Sequence, residues 1–267
     1  MVESIGVIGF GVVGSAVSNG FNSHLPVYVY DKFKEGHDTL YDTVNKSDVI
    51  FVCVPTPTVD NKQDLSDIYS CIADIDGIAI DKKLIVIKST VVPGTTRALS
   101  LKYPQHEFIF NPEFLTARTA LKDFLHQKQI IIGYNVFTEN TENILQLYSD
   151  RFIASPIKFA SWETAELVKY MCNCMYALKV TAANQIYDAA KYLDVDYDDV
   201  KKLCLSNGWM SPMHLDVPGP DGNLGYSGVC FPKDMKAFVA WGKENGVDLS
   251  LFGKADSINN NIRDIEG

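Results

Sequence analysis

Ile5-Gly6-Val7-Ile8-Gly9-Phe10-Gly11-Val12-Val13-Gly14 is the stretch from which the fold follows: a short apolar run, three glycines spaced G-x-G-x-x-G, then Ser15-Ala16-Val17, which continues as helix. In that setting the first glycine makes the turn and the second lets a pyrophosphate approach the backbone. The third packs helix against strand, and the helix N-terminus meets the phosphates. Gly9, Gly11, Val13 and Gly14 are therefore candidate cofactor residues. A second strand, Val27-Tyr28-Val29-Tyr30, ends in Asp31 about 20 residues downstream, where a carboxylate accepts ribose hydroxyls and repels a 2′-phosphate. The pattern favours NAD over NADP.

Further strand-like runs at 49–54, 84–87, 108–110 and 130–132, with helical segments between them, predict an α/β fold, a Rossmann-type doubly wound parallel sheet. In such sheets ligands bind at the carboxyl ends of the strands. Those ends carry Pro55-Thr56-Pro57-Thr58, Lys88-Ser89-Thr90-Val91-Val92-Pro93-Gly94 and Asn111-Pro112-Glu113-Phe114-Leu115. Each is a polar loop expected to face the cofactor, with Pro55, Thr56 and Thr90 as candidate contacts. The plain alternative is a turn with a helix cap, which Ser, Thr, Asn and Pro make in many proteins.

The 267 residues suffice for one large domain or two modest ones, and a 46% hydrophobic content supports a buried core. The net charge of −9 is spread without a Lys/Arg run, which argues against nucleic-acid or anionic-membrane partners. No apolar run approaches the roughly 20 residues of a membrane span, and Met1-Val2-Glu3-Ser4 lacks the features of a signal peptide, so a cytoplasmic protein is expected. The six cysteines show no CxxC spacing, so neither a disulfide framework nor a zinc or other metal site is indicated.

From 162 to 193 there is neither Pro nor Gly, which predicts a helix of about 30 residues, roughly 45 Å long at 1.5 Å per residue. It divides the chain into a sheet domain, 1–160, and the long helix with a small all-α domain, 161–267, and it offers a face for dimerisation. Glu166, Lys169 and Asn173 fall at helical spacing on one face, where a lysine beside an asparagine stabilises an alkoxide or takes a proton. A solvated polar stripe is the plain alternative. Helices at 198–205, after Pro232 and at 249–263 complete the second domain.

Gly228-Val229-Cys230-Phe231-Pro232-Lys233-Asp234 places one cysteine just before a proline-started helix, with a lysine and an aspartate in its first turn. Unpaired N–H groups and the macrodipole there favour a thiolate, so Cys230 reads as a nucleophile, with a buried helix-start cysteine as the alternative. Asp234 is placed to hold a water or a proton. Gly225 and Gly228 allow backbone to approach a ligand closely.

Taken in order, Gly9 to Gly14, Lys88-Ser89-Thr90, Asn111-Pro112-Glu113-Phe114-Leu115, Glu166-Leu167-Val168-Lys169 with Asn173, Val217-Pro218-Gly219-Pro220-Asp221-Gly222 and Cys230-Phe231-Pro232-Lys233-Asp234 resemble the nucleotide-sugar dehydrogenases, the UDP-glucose 6-dehydrogenase and GDP-mannose dehydrogenase family. The resemblance implies NAD as cofactor and a four-electron oxidation of a sugar C6 alcohol to a uronic acid, UDP-glucose being the expected substrate, through an aldehyde held on cysteine and then a thioester. It implies Cys230 as nucleophile, Lys169 and Asn173 on the oxyanions, Asp234 and Thr90 on the hydrolytic water, and Glu113 in proton transfer. It further implies a sugar pocket lined by Phe114, Leu115, Lys169, Asn173, Tyr226 and Gly228, and a homodimer built on the central helix.

The departures are specific. Ala117, followed by Arg118, stands where the family carries a second glutamate; Ser227 replaces the first of a glycine pair; and Asn184-Gln185 replaces an asparagine-glutamate pair. Family members also continue beyond the equivalent of Gly267 into a domain that grips the nucleotide, which implies a separate polypeptide supplying that nucleotide-binding domain, a smaller or weakly held substrate, or a fragment or decayed form. Two other readings follow: a two-electron hydroxyacid dehydrogenase, which also uses a Lys-x-x-x-Asn pair but has no need of Cys230, and a catalytically weak NAD-binding subunit, suggested by Ala117 and the chain length.

Overall fold

A computed structural model describes residues 1–265, with side chains through Arg263. The chain folds into two compact units, 1–57 with 64–169, and 58–63 with 170 onward.

The first unit is a seven-stranded sheet. Its strands are β1 (Ile5–Ile8), β2 (Val27–Tyr30), β3 (Val49–Val52), β6 (Leu84–Ile87), β7 (Glu107–Phe110), β8 (Ile130–Gly133) and β9 (Ile157–Ala160), in spatial order β2-β1-β3-β6-β7-β8-β9. Helices α1 (Val12–Phe21), α2 (Leu40–Asn45), α3 (Ser66–Ile78), α4 (Thr95–Lys102), α5 (Ala120–Leu125) and α6 (Glu139–Arg151) connect them. The strands β1, β3, β6 and β8 are apolar on both sides because both sides are covered. Along β3, Val49 and Phe51 enter a core with Phe21, Phe124 and Tyr148, whereas Ile50 and Val52 enter a second with Ile68, Ile72 and Leu99. The same alternation runs through β6 and β8, so the doubly wound architecture follows from strand periodicity.

Two features were not anticipated. β8 runs antiparallel to β7 through a single bridge, Phe110 to Gly133, and is parallel to the edge strand β9. A short hairpin, β4 (Thr58–Val59) with β5 (Lys62–Gln63), turns at Asp60 and Asn61, both at positive φ. Asx residues tolerate that conformation.

The hairpin belongs to the second unit, where it packs on α9 (Phe231–Glu244): Thr58 Oγ1 donates to the Lys233 carbonyl at 2.9 Å, and Lys62 pairs with Glu244. That unit also holds α8 (Tyr197–Leu205), α10 (Ser250–Ile265) and most of α7 (Trp162–Tyr192), one uninterrupted helix of 31 residues, as its lack of Pro and Gly requires. Tyr170 stacks on Phe238, which also meets Trp241 and, edge-on, Phe252 of α10. Among the described residues, no helix is long and apolar enough to cross a membrane.

Candidate active site

In the first unit, the turn after β1 is shaped by what a side chain would strike. A Cβ on Gly14 would stand 1.8 Å from the Gly9 carbonyl oxygen, and one on Gly9, at φ +90°, would stand 2.7 Å from that of Cys53. These two glycines are required by the protein's own backbone. Gly11 is different: nothing lies within 4 Å of its Cβ position, and it is the N-cap of α1 without a side-chain cap. That open space before uncapped first-turn amides, Val13 among them, fits a dinucleotide pyrophosphate.

Asp31, at the end of β2, accepts from Phe10 N at 2.7 Å and Phe33 N at 2.9 Å, while Lys34 Nζ reaches the Phe10 carbonyl at 2.6 Å. Burial raises its carboxyl, but these amides and the Lys34 ammonium outweigh it and hold the group below the usual aspartate range. A charged Asp31 is thereby tied to the glycine turn, as a ribose-binding carboxylate requires. Beyond β3, Pro55 is exposed and Thr56 buried, its hydroxyl donating to the Thr90 carbonyl at 2.8 Å.

Lys169 and Glu113, 56 residues apart, meet in this unit. The Lys169 ammonium lies 2.6 Å from the Glu113 carbonyl oxygen and 2.8 Å from Glu113 Oε1, and 5.6 Å from the Phe114 ring centroid. Glu113 Oε2 accepts from Leu115 N at 2.7 Å, which ties the carboxylate to its own loop. Burial raises the Glu113 carboxyl, but the Lys169 charge and hydrogen bond, the Leu115 amide and Lys88 together bring it below the usual range. Glu166 is given no chemistry by the structure. Fully buried, it accepts from Gly94 N, Thr96 N and Thr96 Oγ1, stapling the start of α4 to α7.

In the second unit, Asn173 Nδ2 donates to Asp234 Oδ2 at 2.6 Å, and Lys233 Nζ donates to Asp234 Oδ1 at 2.6 Å. Asp234 is buried at 1% exposure in the first turn of α9, whose N-cap is Cys230. Among the six cysteines, all thiols, burial pushes Cys53 up to about 12 and raises Cys71 and Cys174 as well. Cys204 is exposed at the carbonyl end of α8, whereas Cys230 is exposed at the amide end of α9. Only the latter position favours a thiolate.

The segment before Cys230 is fixed by two asparagines, Asn184 of the Asn184-Gln185 pair and Asn259, which no sequence motif signals. Asn184 Oδ1 accepts from Gly225 N, and Asn259 brackets Tyr226 through both backbone groups. The Tyr226 hydroxyl is committed to Asp256 at 2.8 Å, leaving backbone as what this residue offers a ligand. Gly228, at φ +84°, faces open space. Ser227 donates to Asp221, whose carboxyl Arg263 holds down to about 2, so the departure from the glycine pair anchors the Val217-to-Gly222 loop. Among the described residues no His, Cys, Asp and Glu cluster is placed to hold a metal ion.

This fold, with its open glycine turn and the charged Asp31 beside it, is that of a dinucleotide-binding protein. Residues 28–151 match the NAD-binding domain, and 163–261 the central domain, of the UDP-glucose/GDP-mannose dehydrogenase family. The chain belongs to that family. It is 30% identical over 234 residues to UDP-glucose 6-dehydrogenase of Rhizobium meliloti, covering 84% of this chain and 52% of the relative. It is 33% identical over 238 residues to GDP-mannose 6-dehydrogenase of Pseudomonas aeruginosa, covering 80% and 51%. The structure of a UDP-glucose dehydrogenase from Pyrobaculum islandicum superposes with a TM-score of 0.87 at 26% identity, covering 97% of this chain and 68% of that one. The chain spans about half the length of the curated relatives it matches.

Proposed function

We propose that this chain carries the NAD-dependent oxidation of a nucleotide-sugar primary alcohol to the uronic acid, UDP-glucose to UDP-glucuronate or a close relative, through a covalent adduct on Cys230. The observation that supports it most is the exposed thiol at the amide end of α9, one turn from a buried Asp234 held by Asn173 and Lys233. A plain hydride transfer has no use for such a thiol.

NAD, when bound, accepts a hydride in each of the two oxidations. The chain's residues do the rest. In the first oxidation the C6 carbon loses a hydride and its hydroxyl loses a proton, passed on with the help of Glu113, to give an aldehyde. The Cys230 thiolate adds to its carbon and the carbonyl oxygen takes the negative charge, which Lys169 and Asn173 stabilise. Loss of hydride from that adduct leaves a thioester. Water, positioned by Asp234 and Thr90, adds to the carbonyl, the C–S bond breaks, and the carboxylate leaves with the thiol restored. Glu113, bonded to the Lys169 ammonium, assists proton transfer. Phe114, Leu115, Tyr226 and Gly228 border the sugar. Asp31 selects NAD over NADP.

A Cys230→Ala variant tests the reading: acid formation falls by several orders of magnitude while NADH binding is kept. A variant that still forms acid at the wild-type rate refutes it. A single observation favours a second reading, a catalytically weak NAD-binding subunit: Ala117 stands exposed where the family's second glutamate is expected. NADH binding without turnover of any sugar nucleotide would select it, and a single NADH per substrate would select a hydroxyacid-type reaction. The exposed Met171 and Met175, one turn apart on α7, supply the face proposed for a homodimer.

A further inference from the structure

Lys88 is a buried lysine to which the proposed reaction gives no role. It follows β6 as Asn111 follows β7, and the Ile87 to Phe110 register makes the two neighbours across the sheet. Since Ile87 and Phe110 face the core of Ile68 and Leu99, the next residues turn to the opposite core, that of Phe124 and Tyr148. There Lys88 Nζ donates to Asn111 Oδ1 at 2.8 Å, lying 5.8 Å from the Phe124 ring centroid, and the Tyr148 hydroxyl donates to the same oxygen. Asn111 Nδ2 in turn donates to the Ile131 carbonyl at 2.6 Å. This is where β8 reverses direction and meets β7 at a single bridge, so the Asn111 amide supplies a cross-strand bond that the ladder lacks.

A lysine exposed at only 1% costs stability that a methionine of similar length would not. Burial lowers its ammonium to about 8, against the raising influence of Cys53 and Glu113 and with a further lowering by Lys169. Those groups, with Tyr148, come from the segments after β3 and β7 and from α7 and α6. Asn111 is two residues before Glu113, and Pro112 between them stiffens the connection.

We propose that Lys88 is a positioning residue: acting through Asn111, and together with Tyr148, it sets the Asn111-Pro112-Glu113 segment so that Glu113 meets the Lys169 ammonium. The assignment rests on the functional reading only in making that pair part of the oxidation.

The test follows Glu113 directly, by ¹³C NMR titration of its side-chain carboxyl, and the hydrogen bond it accepts, by hydrogen exchange of the Leu115 amide. In Lys88→Met the Leu115 amide exchanges about tenfold faster or more and any turnover falls in kcat rather than KM; the Glu113 titration moves up, as loss of the Lys88 charge alone also requires. Tyr148→Phe keeps the core volume and the charge; it moves both readouts the same way by less, and serves if Lys88→Met does not fold. Unchanged Leu115 exchange in folded Lys88→Met, or unchanged Glu113 titration and Leu115 exchange in folded Tyr148→Phe, overturns the proposal, even where the wild type oxidises sugar nucleotides. Changed readouts in a chain that turns over none uphold the positioning and fail the functional reading instead.

Discussion

Lys169 gives two hydrogen bonds to one residue, taking both the backbone carbonyl and the side-chain carboxylate of Glu113, with both side chains largely buried. A buried pair of this kind adds little over an apolar pair of the same size, but losing one partner strands the other. Lys169→Met is therefore expected to lower stability by about 3 kcal/mol or more, and Glu113→Gln by less. Glu113 titrates below its ordinary value, so the stability it contributes is present above the unfolded glutamate pKa of about 4.3 and lost as pH falls through the lowered value. Denaturant unfolding between pH 6 and 3 should show a shallower acid loss in Glu113→Gln than in the wild type.

Glu166 has the opposite sign. Burial raises its carboxyl, held back by the Thr96 and Gly94 hydrogen bonds. The native state thus holds the proton more readily than the unfolded chain, and Glu166 lowers stability as pH rises from about 4.3 through the raised value. Removing the side chain also strands two amides and a hydroxyl, so Glu166→Ala should cost about 2–4 kcal/mol. Glu166→Gln should flatten the stability profile just above pH 4.3. A profile that keeps the wild-type slope would contradict this assignment.

The fold was legible wherever a residue type had one use. Glycine at positions 9 and 14 is demanded by backbone at 2.7 and 1.8 Å, and the uninterrupted apolar strands announce a sheet covered on both faces. Such strands carry no mark of direction, so the antiparallel step at Phe110 and Gly133 could not be read. β9, Ile157-Lys158-Phe159-Ala160, is only partly buried at the edge and lacks the apolar run of the others. The hairpin was not legible, since Asp60-Asn61 lacks the glycine of the usual two-residue hairpin turns and its two-residue strands are too short to show alternation. In the candidate site, single residues were legible but their partners were not. Lys169 and Glu113 are 56 residues apart, and Lys88 looked like loop charge until its register beside Asn111 was known.

Gly11 and Gly14 separate what the fold needs from what the cofactor needs. Gly14→Ala drives a methyl group into the Gly9 carbonyl and should unfold the turn, lowering the melting temperature and abolishing NADH binding. Gly11→Ala meets no protein atom, so its melting temperature should stay near that of the wild type while NADH affinity falls about tenfold or more, about 1.4 kcal/mol. Fluorescence titration of NADH against both variants checks the pair. Unimpaired binding to Gly11→Ala would place the pyrophosphate elsewhere.

The central claim is that Cys230 carries a sugar aldehyde through a second oxidation. It is tested most directly by counting NADH formed per sugar nucleotide consumed, with the purified chain, excess NAD, and UDP-glucose and GDP-mannose in turn. Two NADH per substrate, lost in Cys230→Ala, is the predicted result. One NADH per substrate, with the Cys230→Ala variant equally active, would contradict it.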